Sequence, residues 1–158
     1  RTREGDKDVR PEKRLEWRDK IANDNNSEVF ISFHLDAAGD TRNLKVIYQQ
    51  GKSNEEISKF LGNKIIDALK SNGGFSKYSL NDVISLGRIE NGKLTTHLGV
   101  LNGFNTGGPG LLIEFGSIAS ASNRQYIRDN CYSIGKSIAI AVYQYFHKGE
   151  QPRLSIFK

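Results

Sequence analysis

The chain has 158 residues, and 23 Lys and Arg against 18 Asp and Glu give it a net charge of +5. This length fits one domain with one buried core, and the positive balance favours an anionic partner such as nucleic acid, acidic lipid or a cell-wall polymer. The basic residues are scattered rather than interleaved with aromatics, which argues against nucleic-acid binding. The single cysteine, Cys131, excludes an intrachain disulfide and a thiolate zinc cluster, and the absence of a run of about 18 apolar residues excludes a membrane-spanning helix.

Pro11 suits the first turn of a helix, and Leu15, Arg18 and Ala22 share one face before the polar cluster Asn23 to Ser27, so a short helix is expected over 10–23. From 28 to 34, Val29, Ile31 and Phe33 alternate with Phe30, Ser32 and His34. Both faces are mostly apolar, as in an interior strand of a sheet covered on both sides. LKVIYQQ, residues 44–50, predicts a second strand rich in β-formers.

Ser53 and Glu56 have the spacing of a capping box, and the helix they open carries Ile57, Phe60, Leu61, Ile65, Ala68 and Leu69 before Gly73 and Gly74 end it. Between Phe75 and Gly110, Gly, Asn and Ser break the pattern into short pieces, as in loops lining a groove. GLLIEFG, residues 110–116, is another apolar strand. Ser122 and Gln125 have the spacing of a last capping box, opening a helix to Phe146 with Ile127, Cys131, Ile134, Ile138, Val142 and Tyr145 on its buried stripe. Strands alternating with helices predict an α/β fold, a domain over 1–147 with a tail or linker at 148–158.

His34 and Glu114 each stand at the end of an apolar strand, where an α/β sheet keeps its ligand crevice. A carboxylate buried there costs several kcal/mol without compensation, so Glu114 requires a partner, a raised pKa or a chemical task. A metal would account for both residues, with His34 as a zinc ligand and Glu114 beside the metal as acceptor of a proton from bound water. The structural alternatives are a hydrogen-bonded rim histidine and a structural salt bridge at Glu114. His97 and His147 follow polar stretches and read as surface residues, and Cys131 reads as an inert core thiol.

Thr2 and Arg3, then Asp6 or Asp8, then Leu15, Arg18, Ala22 and Asn23, then VFISFH ending at His34, together resemble the zinc-dependent N-acetylmuramoyl-L-alanine amidases. LGVLN at 98–102, GPGLLIEFGSIAS at 108–120 and the long closing helix are similar to later segments of that family, in the same order. The resemblance implies a mixed β-sheet with helices on both faces, and hydrolysis of the amide between N-acetylmuramic acid and the L-alanine of the peptidoglycan stem. It also implies a zinc cofactor held by His, Glu and His, with His34 as the second histidine ligand and Glu114 as the catalytic acid/base.

The first ligand histidine and the ligand glutamate of the family belong to a strand and helix upstream of the Thr2–Arg3 motif, so the 1–147 domain is expected to be N-terminally incomplete, with the site completed by a separate N-terminal fragment or chain or by further residues of a longer protein. Three positions depart from the pattern: Asp36 stands where Asn is usual, Asn102 where Arg is common, and Ser117 where an aromatic is common. Peptidoglycan as partner implies the periplasm, cell wall or exterior, in an autolysin or endolysin, with neither nucleic-acid binding nor membrane insertion. The alternative on the same residues is a module that binds cell wall without cutting it, or an inactive amidase fragment.

Overall fold

The computed structural model describes residues 11–37, 42–82, 88–90, 93–95 and 99–147. In chain order these form α1 (Pro11–Asp24), β1 (Phe30–Asp36), β2 (Asn43–Tyr48), α2 (Glu55–Lys70), β3 (Lys77–Asp82), β4 (Arg88–Glu90), β5 (Lys93–Thr95), α3 (Gly99–Asn102), β6 (Gly110–Ser117) and α4 (Ala121–Phe146). Four strands make one sheet in the order β1-β6-β2-β3, and β4 pairs with β5 as a separate antiparallel hairpin. β1 runs parallel to β6, β2 antiparallel to β6, and β3 parallel to β2. The sheet is therefore mixed, as expected.

Alternation along the strands sends apolar side chains to opposite sides of the sheet. Leu44, Val46, Leu111 and Ile113 pack with Leu61, Ile65 and Leu69 of α2 and Ile134 and Ile138 of α4. Ile47 and Leu112 meet Val100 and Leu101 of α3 on the other side, joined by Phe30. The near-continuous apolar run of β6 follows from this position, for it is covered on both faces and paired on both edges. Gly62 lets α2 approach the sheet, since a Cβ there would stand 2.7 Å from Leu80 Cδ1 and 3.2 Å from Val46 Cγ1.

Several sequence expectations are corrected. β1 is an edge strand rather than an interior one: among the described residues it pairs only with β6. Its two apolar faces report coverage above and below the sheet, not a neighbour in the plane, and towards its end Phe33 is 60% exposed. β3 occupies part of the stretch expected to be loops, because Tyr78 and Leu80 turn towards the α2 side while its backbone pairs with β2. Residues 83–87, 91–92 and 96–98 of that stretch, which include His97, lie outside the described residues, as do the 148–158 tail and the Thr2–Arg3 motif.

Neither expected capping box forms. The N-cap of α2 is Asn54, whose side chain turns inward and donates to the Gly108 carbonyl at 2.7 Å instead of capping the helix. Glu55, one residue on, accepts from the Gly51 N–H at 2.7 Å. At α4 the N-cap is Ser120, which accepts from the Asn123 N–H at 3.2 Å, while Gln125 is drawn to Asp129 at 2.6 Å. Buried Asn123 donates to the carbonyls of Phe115 (2.8 Å) and Ser117 (3.1 Å), tying the start of α4 to the end of β6. Cys131 is exposed rather than core: the buried stripe of α4 runs through Ile134, Ser137, Ile138 and Ala141.

Candidate active site

His34 and Glu114 are register partners across the parallel β1/β6 pair, so their Cα atoms face each other on adjacent strands roughly 4.8 Å apart. In-register side chains leave a sheet on the same face, here the face that carries Phe30, Leu112 and α3. The register then shifts: beyond the His34–Glu114 pair, Asp36 faces Ser117, leaving one extra residue on β6. Gly116 has a φ of 73°, the left-handed conformation that an extra residue of this kind often requires. The glycine two residues after Glu114 is thus the backbone device that ends regular pairing beside the carboxylate.

On the other side of β6, Lys45 of β2 is the register partner of Glu114. Its ammonium donates to Glu114 Oε2 at 3.0 Å and to Asp36 Oδ2 at 3.2 Å. The Glu114 side chain is 20% exposed, and among the described residues its second oxygen, Oε1, has no hydrogen-bond partner. Partial burial disfavours the charge on Lys45, but hydrogen bonds and the fields of Glu114 and then Asp36 more than offset this and hold its pKa above the ordinary lysine value.

The His34 ring is oriented by a 2.8 Å hydrogen bond between Nε2 and the Ser32 hydroxyl. Burial lowers its pKa below 6.5; the Glu114 carboxylate opposes that shift and the Arg18 guanidinium adds to it. His34 is therefore a neutral imidazole at neutral pH. It lines an open cavity of about 900 Å³ between α1 and β1, together with Arg18, Ser27, Phe30 and Ser32.

The two site residues expected from sequence are thus brought together, and Asp36 joins them. Lys45 and Ser32 belong to the site although the sequence pattern does not single them out for it. The signal for Lys45 was a lone cation inside the apolar strand LKVIY. His147 is exposed and stacked on Tyr143 at the far end of α4, away from the site. Ser117 is buried, its hydroxyl accepting from the Ala119 N–H at 3.1 Å, which gives it a turn-forming role.

A neutral, half-buried imidazole held by a hydroxyl has the chemistry of a zinc donor. Among the described residues, however, no three His, Cys, Asp or Glu are grouped to hold a metal. These residues alone do not make a zinc site.

A mixed sheet with helices on both faces, and with a histidine and a glutamate paired across two strands, defines an α/β domain. The model of the N-acetylmuramoyl-L-alanine amidase family matches residues 1–144, and the chain belongs to that family. Among solved structures it is similar to the CwlD amidase of Clostridioides difficile, determined in complex with the GerS lipoprotein, with a TM-score of 0.58 and 22% identity. The likeness covers 85% of this chain and 62% of that one, and so extends to the fold. No curated protein matches the chain in sequence.

Proposed function

We propose that the protein hydrolyses the amide joining the lactyl group of N-acetylmuramic acid to the L-alanine of the peptidoglycan stem. The observation that carries this reading is the in-register pairing of His34 and Glu114 in a chain of the amidase family. Zinc, held by His34 and by ligands from outside the described residues, would supply Lewis-acid polarisation of the carbonyl and of water. A neutral His34 is ready to donate its ring nitrogen without first losing a proton.

Glu114 does the proton work. Held at Oε2 by Lys45, it takes a proton from the attacking water as the C–O bond forms, then delivers it to the amine of L-alanine as the C–N bond breaks. The remaining ligands come from a segment that adds at the β1 edge, which has no strand on its outer side among the described residues. A peptidoglycan substrate places the protein in the periplasm, the wall or outside the cell, as an autolysin or endolysin. No helix among the described residues is long and apolar enough to cross a membrane.

A second reading is a wall-binding module without hydrolysis, favoured by the ion pair with Lys45, which gives Glu114 a structural partner. Glu114→Gln separates the two. The amidase reading predicts unchanged zinc content and fold with turnover reduced about 10²- to 10⁴-fold. Turnover retained by the variant rejects Glu114 as the acid/base, and absence of both zinc and turnover in the wild type favours the binding module.

A further inference from the structure

We infer that Lys45 is a positioning residue for Glu114, itself anchored by Asp36. The inference rests on the amidase reading of Glu114 and assigns Lys45 a task in it. A glutamate side chain turns about three bonds, so a strand position alone does not fix where its carboxylate stands. Proton transfer requires the acceptor oxygen within about 2.6–3.2 Å of the proton's donor atom, so some other group must restrict those rotations.

Lys45 is placed to do so. It faces Glu114 across the β2/β6 pair, and its Nζ contacts one carboxylate oxygen, Oε2. A lysine head alone is also mobile, but here the same Nζ is held from β1 by Asp36 Oδ2. The clamp therefore crosses three adjacent strands, β2, β6 and β1, with Glu114 in the middle strand. It has two consequences: Oε2 is held while Oε1 keeps no hydrogen-bond partner among the described residues, and the Glu114 and Asp36 carboxylates share one cation instead of facing each other uncompensated. The paired lysine is thus part of how the site works, which sets it apart from a surface ion pair such as Lys20–Asp24, where both side chains are more than half exposed.

The test compares wild type, Lys45→Met and Lys45→Arg, each loaded with zinc, on a purified disaccharide-peptide fragment of peptidoglycan, together with crystal structures of the metal-free wild type and K45M. The expected result is a fall in kcat of about 10- to 100-fold in K45M, of the size seen when a supporting contact to a site group is removed, with KM changed far less. K45R, which keeps the cation, should recover most of the loss, and the Glu114 carboxylate should leave its place in the K45M crystal. If K45M does not fold, Lys45→Gln takes its place. Unchanged kcat, or a Glu114 carboxylate that stays where it is without Lys45, overturns the inference. A wild type without turnover overturns the amidase reading instead, and the crystal comparison still decides the role of Lys45.

Discussion

His34 and Glu114 lie eighty residues apart in sequence yet stand directly opposite each other on β1 and β6. Parallel pairing carries them to the same end of the sheet, because each closes the apolar run of its strand, and the register shift at Gly116 falls immediately beyond them. The residue proposed to hold a cation and the residue proposed to accept a proton are thereby set side by side by backbone geometry.

The charge state of His34 follows from its surroundings. Burial disfavours the imidazolium more than Glu114 favours it, so in the metal-free protein its NMR titration is expected at a midpoint below 6.5. Because the folded-state pKa is depressed, the stabilising contribution is complete above about pH 6.5 and is lost as pH falls through the folded value. Urea unfolding at pH 7.5 and pH 5, compared between wild type and His34→Asn, should show the wild type losing more stability on acidification. An equal loss in both, or a midpoint above 6.5, would contradict the assignment.

Gly116 has a backbone reason to be glycine. Its φ of 73° costs a residue with a Cβ about 1–2 kcal/mol, so Gly116→Ala should lower unfolding stability by that amount. Relief of the strain by a change in register would also move Glu114, two residues away, so turnover should drop further than stability alone accounts for. Thermal melts and kcat measured on the same preparation separate the two effects.

Asn123 splices the long closing helix onto β6 through its hydrogen bonds to Phe115 and Ser117, and it is fully buried. Asn123→Ala leaves those two carbonyls without that donor and should cost about 1–3 kcal/mol. Chemical denaturation measures it directly; a variant as stable as the wild type would mean that the carbonyls find other partners.

Much of this arrangement was legible in the sequence because it depends on local pattern. Apolar runs ending in one ionisable residue mark β1 and β6, and the spacing of Leu61, Ile65 and Leu69 marks α2. What could not be read there depends on distant partners. β3 exists because β2 offers it a parallel edge, and its own sequence, KYSLND, is mostly polar. The helix starts moved to Asn54 and Ser120 because buried hydrogen bonds to Gly108 and to the end of β6 outrank a local spacing rule. At the site, the histidine and the glutamate were visible singly, whereas Lys45 became meaningful only once β2 lay against β6.

The most direct test of the account is to digest purified peptidoglycan with the zinc-loaded protein and identify the new chain ends by mass spectrometry and amino-terminal labelling. Release of stem peptides beginning with free L-alanine, with intact N-acetylmuramic acid left on the glycan and no such release by Glu114→Gln, is the predicted result. New reducing sugar ends, cuts within the stem peptide, or equal release by the variant would contradict it.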